Sequence, residues 1–441
     1  MKKIVFIIFL FTLSNCSFDN KTGIWTDNNS VDLDKDKRFK DFETLYTKEP
    51  TFNKVIKPNK KLNIKLDKVL NAEKWVDKYF QNTNNFDNFS YGNKNILALK
   101  GKKLSRFKVK NEILSDGQNI VTSDIKGNII IYSLIENKVI FKFNFYKKKF
   151  KKIKKNLNIK VDNNVVFVSD NLGYLYALDY LNQKLLWAKN FRVPFRSNIK
   201  TFENKIVLSD QNNNFYVINK INGEQIKFIP TEETPIKSDF INSIAFINNH
   251  LIYLNTFGTL YSINGENLKI NWFSNLKQSF DRTANNLFYS NPVIIYKNRI
   301  IVSTDPSLYV LNINDGRVII KKSITSIVNP IISGGNLFIV TKDNLLVCIN
   351  LNSGEINYSL DISKEISEYL DSKNRKISVK YMYLVNNNLM IILNNSYFVS
   401  FYKNGKINEI QKLKRKLGTA PVFIKQSIIF LDKNKRITVL N

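Results

Sequence analysis

Residues 163–187, NNVVFVSDNLGYLYALDYLNQKLLW, decide the fold that this sequence predicts. Two apolar runs, Val165–Ser169 and Tyr174–Leu178, flank the turn sequence Asp-Asn-Leu-Gly at 170–173. A second polar turn leads to a third run that ends at Trp187. Short apolar runs bounded by turn residues are typical of antiparallel β-strands. The stretch therefore predicts three neighbouring strands of one antiparallel sheet.

The same pattern recurs along the chain. The second strands of successive copies are about 44 residues apart, and a period of about 40–50 residues with several short strands per unit is typical of a β-propeller blade. An isolated blade leaves an apolar face exposed, so the copies are expected to stack around a ring. The eight copies are residues 119–141, 163–187, 204–228, 249–272, 298–320, 336–358, 388–410 and 428–441.

A further apolar strand precedes most copies, as at Ser197–Phe202, which gives four strands per blade. The last copy stops at Asn441 without its final strand, and Leu104–Lys110 is a strand without a blade of its own. Pairing the two would close the ring and remove two open sheet edges. We therefore predict an all-β fold, an eight-bladed propeller of four-stranded blades over residues 96–441 that is closed by an N-terminal strand.

The N-terminus has the pattern of an export signal. Lys2 and Lys3 precede the apolar run Ile4–Leu13, which is too short to span a bilayer but has the length of a signal-peptide core. The sequence Leu-Ser-Asn-Cys at 13–16 resembles the lipobox of bacterial lipoproteins, and this resemblance implies that Cys16 is acylated. The alternative is an ordinary signal peptide, residues 1–15, followed by an incidental cysteine. Ser17 after the cysteine favours sorting to the periplasmic face of the outer membrane.

Residues 16–95 are expected to form the lipidated N-terminus, a tether and a short connecting segment. Residues 17–60 contain eight acidic and nine basic residues and few aliphatic ones, a composition that favours a poorly ordered tether. Residues 66–80, LDKVLNAEKWVDKYF, predict either a short amphipathic helix or a segment that packs on the main body.

The charge is strongly positive, with 67 Lys and Arg residues against 37 Asp and Glu residues and a formal net charge of +30. Such a balance is common in nucleic-acid-binding proteins, but a lipid-anchored periplasmic protein has no access to nucleic acid. The densest basic run is expected to contact anionic lipid, lipopolysaccharide phosphate or another polyanion, or else to be a solvated loop. Its lysines are Lys147, Lys148, Lys149, Lys151, Lys152, Lys154 and Lys155.

The repeat resembles that of quinoprotein-type propellers, and the combination of lipobox, tether and one propeller resembles the BamB family of outer-membrane lipoproteins. The resemblance implies a non-catalytic scaffold that binds the barrel-forming subunit of the β-barrel assembly machinery. It places the docking residues in two loops between neighbouring blades, with Val193, Phe195 and Arg196 in the first and Asp239 in the second. The second acidic position of the family falls near Ile241 here. The alternative for Phe195 is that it packs beneath its own loop.

Quinoprotein dehydrogenases resemble the same repeat and hold pyrroloquinoline quinone over calcium, often beside a vicinal cysteine pair. This chain has one histidine, His250, and two cysteines that are not adjacent. The aspartates Asp170, Asp210, Asp305 and Asp343 are predicted to share one repeated turn position, where carboxylates usually accept backbone N–H groups. We therefore expect no enzyme activity, cofactor or metal. The alternatives are a periplasmic quinoprotein-like dehydrogenase and a surface lipoprotein that binds polyanions, and pairing of nascent strands with propeller edges stays open.

Overall fold

The computed structural model describes residues 51–441 except residues 61, 111, 147–149, 151, 234–240, 278–287 and 374–375, together with two short N-terminal strands. These strands, β1 (Ser17–Phe18) and β2 (Trp25–Thr26), pair antiparallel with each other. Residues Thr51–Asn441 form a separate compact unit. The predicted signal peptide and Cys16 lie outside the described residues.

Eight blades, each with four antiparallel strands as predicted, make up the ring, and the sheet of blade 7 has a fifth, parallel strand from the N-terminal segment. Two strands precede the first blade, namely β3 (Asn88–Phe89) and β4 (Leu97–Lys103). Blade 1 contains β5 (Leu114–Ser115), β6 (Asn119–Ser123), β7 (Asn128–Ser133) and β8 (Lys138–Asn144), and blade 2 contains β9 (Leu157–Asp162), β10 (Val165–Asp170), β11 (Tyr174–Asp179) and β12 (Lys184–Asn190). Blade 3 contains β13 (Lys200–Phe202), β14 (Lys205–Ser209), β15 (Phe215–Asn219) and β16 (Gln225–Ile229), and blade 4 contains β17 (Ser243–Ile247), β18 (His250–Leu254), β19 (Thr259–Asn264) and β20 (Ile270–Asn275).

The second half of the ring repeats this arrangement. Blade 5 contains β21 (Ile294–Tyr296), β22 (Arg299–Ser303), β23 (Leu308–Asn312) and β24 (Val318–Lys322), and blade 6 contains β25 (Ile331–Ser333), β26 (Asn336–Val340), β27 (Leu345–Asn350) and β28 (Ile356–Asp361). Blade 7 contains β29 (Val379–Val385), β30 (Asn388–Leu393), β31 (Tyr397–Phe401) and β32 (Ile407–Lys412). Blade 8 contains β33 (Val422–Ile424), β34 (Ser427–Leu431), β35 (Arg436–Leu440) and, as its fourth strand, β4.

The ring is closed by an N-terminal strand, as predicted, but by a different segment from the one expected. β4 pairs antiparallel with β35, with Thr438 opposite Lys100. The expected strand Leu104–Lys110 instead turns back towards blade 1, where Val109 forms an isolated bridge with Asp124. The error has a physical reason, since the fourth strand of a blade is the most exposed one and β4 is correspondingly polar, LALKGKK.

The helix considered for residues 66–80 does not form, and the alternative, a segment that packs on the main body, is confirmed. Within the described part of the chain, the α-helix is α1 (Ile362–Tyr369), which follows blade 6 and is capped by Asp361. No helix among the described residues has the length and apolar character needed to cross a membrane.

The turn between the second and third strands has the same geometry in several blades, and this geometry explains the positions of two of the four predicted aspartates. Asp170 and Asp210 each accept backbone N–H groups two and four residues further on, as predicted. Asp305 and Asp343 do not share this position, because Thr304 and Thr341 occupy it in blades 5 and 6. Asp305 forms an exposed ion pair with Lys342 instead. The full set of side chains that cap this turn through an oxygen atom also includes Asp124, Asn255, Thr341 and Asp432.

Two tryptophans hold neighbouring blades together. The Nε1 atom of Trp187 donates to Lys220 O of blade 3, and Nε1 of Trp272 donates to Ile313 O of blade 5. Both rings lie against a glycine with positive φ, Gly223 at 73° and Gly316 at 71°. A Cβ atom at either glycine would collide with the indole. Both tryptophans are therefore structural residues that join one blade to the next.

The alternating strand directions give the ring two distinct faces. Loops between the fourth strand of one blade and the first strand of the next lie on the same side as the turns between second and third strands, and we call this side the upper face. The turns between first and second strands lie on the opposite, lower face. The loop that contains Val193, Phe195 and Arg196 joins β12 to β13 and is therefore on the upper face.

The N-terminal segment 64–91 fills the centre of the ring, and we call it the plug. It begins on the lower face, where Asp67 N and Oδ2 bond to Ser333 Oγ (2.7 Å) and Gly334 N (2.9 Å) in the first turn of blade 6. It then contacts the first strand or adjoining turn of every blade. These contacts pair Trp75 with Ser115, Val76 with Val161, Asn82 with Thr201 and Phe246, Asn84 with Ile244 and Val293, Asn85 with Ile332, Asn88 with Leu384, and Ala72 with Lys425.

Residues 51–60, the described end of the predicted tether, also pack on the ring. Phe52 N donates to Ser323 O at 2.8 Å. Ile56 forms an antiparallel bridge with Ser359 of β28, the outer strand of blade 6. Residues 51–60 of the predicted tether are therefore ordered against the ring.

Candidate functional site

A funnel opens on the upper face at the centre of the ring. Its volume is about 840 Å³. The plug supplies its floor through Trp75, Tyr79 and Phe86, and the loops that precede the first strands of blades 1, 2, 6 and 8 supply much of its wall. The chain therefore closes the channel from below and leaves it open above.

Two lysines share one carboxylate deep in the funnel. Lys78 Nζ lies 3.5 Å from Glu112 Oε2, and Lys110 Nζ lies 3.4 Å from Glu112 Oε1. Burial by itself raises the pKa of Glu112, but attraction to Lys110 and Lys78 outweighs it and holds that pKa below 4.5. Burial, together with repulsion from Lys78, lowers the pKa of Lys110 despite the attraction of Glu112. The cluster therefore has two cations for one carboxylate, and its lysine side chains are only partly exposed to solvent.

Further lysines lie higher in the funnel. Lys108 and Lys154 are exposed on its wall, and Lys380 is half-buried with its ammonium 5.2 Å from the centre of the Tyr381 ring. Desolvation, reinforced by repulsion from Lys433, lowers the pKa of Lys380. Glu112 is the single carboxylate among the described residues that line the funnel. Its lining is accordingly cationic.

A buried ion cluster that sequence reasoning missed lies beneath the floor. Asp77 Oδ2 is 2.9 Å from Lys200 Nζ and 3.3 Å from Lys160 Nζ, and Asp77 and Lys200 are about 1% and 0% exposed. Asp77 Oδ1 accepts the Tyr79 N–H at 2.9 Å. Lysines within the first strands of blades 2 and 3 were the available signal, because a buried lysine requires a partner. The cluster ties the plug to blades 2 and 3.

The loop predicted to bind a partner is held rigidly between blades 2 and 3. Phe195 N donates to Asp170 O at 3.1 Å, and Arg196 N donates to Ser209 O at 2.9 Å. The loop also lies against Gly173, whose φ is +86° and where a Cβ would be 2.9 Å from Val193 N and O. Only glycine fits such a position without strain.

Within this loop, Phe195 does not point outward as an anchor. It is 4% exposed, and its ring centre lies 5.3 Å from that of Phe191 and 5.8 Å from that of Tyr216. The alternative reading, packing beneath its own loop, describes this side chain. Val193 and Arg196 are half-buried. Asp239, the residue predicted on the neighbouring loop, lies outside the described residues.

Replacing Phe195 with alanine should lower the free energy of unfolding by about 3 kcal/mol, since it removes a buried ring and leaves a cavity. Phe228 on the outer strand of blade 3 is 40% exposed and provides the matched control. Its replacement should cost less than about 1 kcal/mol. Urea unfolding measures both, and equal losses in the two variants would show that Phe195 is not a packing residue.

The basic run is only partly described. Lys152 and Lys154 are exposed. Lys155 is not a solvated charge, since it is 4% exposed, its Nζ donates to Ile153 O at 2.6 Å, and it lies 4.7 Å from the centre of the Tyr146 ring. Its expected role in a basic patch is corrected to that of a loop-stabilising residue. Lys147, Lys148, Lys149 and Lys151 lie outside the described residues.

The groups that could support catalysis are dispersed. No cluster of three or more His, Cys, Asp or Glu side chains suited to a metal is found in the part of the chain that the structure describes. His250 is a half-buried residue at the start of β18. Burial raises the pKa of the Cys348 thiol to about 12, so it is neutral and acts as a small apolar core residue.

Fold and site together define a class of protein, an eight-bladed propeller of quinoprotein-type repeats whose axis is filled from below by its own N-terminal segment. Residues 98–360 match the family model described as outer membrane protein assembly factor BamB. The chain belongs to this family. No curated protein matches the sequence significantly.

Solved structures share the fold at low sequence identity. BamB from Moraxella catarrhalis is 10% identical with a TM-score of 0.59, and the match covers 78% of this chain and 100% of that one. The quinohemoprotein alcohol dehydrogenase from Comamonas testosteroni is 9% identical with a TM-score of 0.61, covering 84% and 81%. A europium-containing methanol dehydrogenase is 11% identical with a TM-score of 0.58, covering 83% and 89%. These likenesses concern the fold alone.

Proposed function

We propose that this protein is a non-catalytic scaffold of the β-barrel assembly machinery, anchored through Cys16 to the periplasmic face of the outer membrane. Its partner is the barrel-forming subunit, and its role is to support folding and insertion of outer-membrane proteins. The observation that carries this proposal is the match of residues 98–360 to the BamB family on a complete eight-bladed ring. Lipid anchoring rests on the lipobox alone.

The way the ring's axis is filled supports a scaffold over a dehydrogenase. Trp75, Phe80, Phe86 and Phe89 occupy the centre as one aromatic cluster, with Trp75 4.8 Å from Phe80 and 5.1 Å from Phe89 between ring centres. Above them, Glu112 is neutralised by two lysines rather than grouped with other carboxylates. A quinoprotein-like dehydrogenase remains the second candidate, and quinone-dependent dye reduction by the purified protein would favour it.

The docking surface is proposed to be the upper face around residues 190–197. Val193 and Arg196 are its contact residues, and Phe195 positions them from below. Arg beside an apolar residue on a rigid backbone is a favourable composition for a binding hot spot, because little conformational entropy is lost on binding. Asp239 would add an acidic group from the neighbouring loop, as the family resemblance implies.

Client strands have a separate place to bind. The fourth strands of blades 2 to 5 form outer edges and expose large apolar side chains, among them Leu186 (45%), Ile226 (46%), Phe273 (68%) and Ile319 (43%). An exposed edge strand can pair with an extended peptide through backbone hydrogen bonds. This mode would let the scaffold hold a nascent strand without a specific sequence.

The double variant Val193→Asp with Arg196→Glu should reduce co-purification of the barrel-forming subunit from mild-detergent extracts by about 30-fold, the effect of losing one hot spot. Arg317→Glu, an exposed arginine in a turn of the lower face, is the matched charge reversal. It should leave the yield of partner unchanged. Folding of each variant is checked by circular dichroism and urea unfolding. Undiminished capture by the folded double variant would place the docking site elsewhere.

A further inference from the structure

We propose that the funnel is a binding site for a small organic molecule that carries a phosphate group on an apolar, preferably aromatic, body. This inference concerns a ligand and does not depend on the proposed scaffold function. A volume of about 840 Å³ lies within the range of small-molecule sites. The funnel is wide at the upper face and closed below by the plug, so a ligand would enter from one side.

The positive charge of the funnel lining favours an anionic ligand. Lys108, Lys154 and Lys380 line the funnel, and among the described residues none of them forms an ion pair with a carboxylate. Below them Lys78 and Lys110 share Glu112 as their one counter-charge within the described part of the chain, and Lys110 Nζ also donates to Leu157 O and Asn158 Oδ1. The side chains of Lys78 and Lys110 are 30% and 25% exposed, so this excess positive charge is only partly solvated, which costs free energy. An anionic ligand would offset that cost.

The type of cation favours phosphate over a planar carboxylate. Among the described residues, the cations that line the funnel are all lysines, which act as compact point charges, whereas arginine is the residue that recognises planar anions through two parallel hydrogen bonds. A phosphate monoester carries close to two negative charges at neutral pH. It would therefore interact more strongly with several converging lysines than a singly charged carboxylate would.

The aromatic residues of the funnel favour a ligand whose body is apolar. Trp75, Phe86 and Tyr383 are 2%, 6% and 2% exposed, so they support the lining from beneath, and the aromatic surface that a ligand can reach comes from two other residues. Tyr79 and Tyr381 are half-buried and line the same space. Aromatic walls with charged groups at one level are the usual composition of a site for an organic anion, because the walls contact the body while the cations orient the head.

Calorimetric titration of the full-length chain in a non-ionic detergent tests the proposal. Phenyl phosphate is expected to bind at least about tenfold more tightly than benzoate, which has the same ring and one negative charge. It should also bind more tightly than inorganic phosphate, which lacks the ring. Raising the salt concentration should weaken the binding, because it screens the lysines. Absence of binding heat for phenyl phosphate, or equal affinity for benzoate, would overturn the proposal.

Variants locate the site. Lys108→Gln with Lys380→Gln should weaken phenyl phosphate binding by about tenfold, the sum of two partly exposed charge contacts. Lys184→Gln with Lys227→Gln removes the same charge from exposed outer strands of blades 2 and 3 and should change nothing. Glu112→Gln should strengthen binding, because it removes the opposing carboxylate. Equal affinities in the two double variants would mean that the anion binds outside the funnel, and the proposal would be wrong.

Discussion

Replacing Asp77 with alanine should lower the free energy of unfolding by about 3–5 kcal/mol, the usual cost of removing one partner from a buried ion pair. The deletion leaves Lys160 and Lys200 without a counter-charge, and Lys200, whose pKa burial already lowers to about 8, is expected to lose its proton. Lys200 is fully buried, and its Nζ keeps only the Gln81 carbonyl at 2.8 Å. Lys160 is 6% exposed and loses its carboxylate as well.

A surface ion pair provides the control for this prediction. Glu136 Oε2 lies 2.7 Å from Lys138 Nζ, and both side chains are more than half exposed. Because solvent screens such a pair, Glu136→Ala should cost less than about 1 kcal/mol. Urea unfolding of the two variants at neutral pH gives the comparison. An Asp77 variant no less stable than the Glu136 variant would show that the plug is not held by this cluster.

The pH dependence of the same cluster has a definite sign. Burial by itself raises the pKa of Asp77, but attraction to Lys200 and Lys160 outweighs it, so the pKa lies below 3.8. The carboxylate therefore contributes stability above the unfolded-state pKa, and this contribution is lost as the pH falls through the folded-state pKa. Protonated aspartate resembles asparagine in shape and charge. The stability difference between the wild type and Asp77→Asn should accordingly shrink on acidification.

The ring could be predicted from sequence because the residues that define each blade are close together in the chain and recur in every copy. In the copy at 163–187, strand alternation, turn residues and the terminal tryptophan all fall within one blade, and seven other copies agree with it. The closing strand was misplaced by a few residues because its neighbours are at opposite ends of the chain. An exposed fourth strand such as Leu97–Lys103 has little apolar pattern to reveal it.

The centre of the ring could not be predicted, because its contacts are non-local. Residues 64–91 have no repeat, and their hydrogen bonds go to eight different blades. A partial signal existed in Lys160 and Lys200, which belong to buried first strands. Sequence alone could not show that Asp77 is their common partner. It also could not distinguish the inward packing of Phe195 from an exposed anchor, since both fit an inter-blade loop.

Trp75→Ala is expected to lower the free energy of unfolding by about 3–5 kcal/mol, the cost typical of deleting a buried tryptophan. Trp75 is 2% exposed, and its ring centre lies 4.8 Å from Phe80, 5.7 Å from Phe86 and 5.1 Å from Phe89. Its backbone also forms a two-hydrogen-bond bridge with Ser115 of blade 1, which the substitution retains. The loss therefore measures the aromatic cluster rather than the strand pairing.

Urea unfolding of Trp75→Ala and Trp75→Phe shows how much of the stability loss comes from the missing ring. Phenylalanine retains a ring in the cluster and should recover about half of the loss, since the remaining cavity is smaller. Because Trp75 packs beneath the funnel floor, the alanine variant should loosen that floor and bind phenyl phosphate more weakly, while inorganic phosphate binding changes little. A variant that unfolds like the wild type would mean that the blades close without their plug. Since the plug contacts every blade, its loss should instead weaken the ring as a whole.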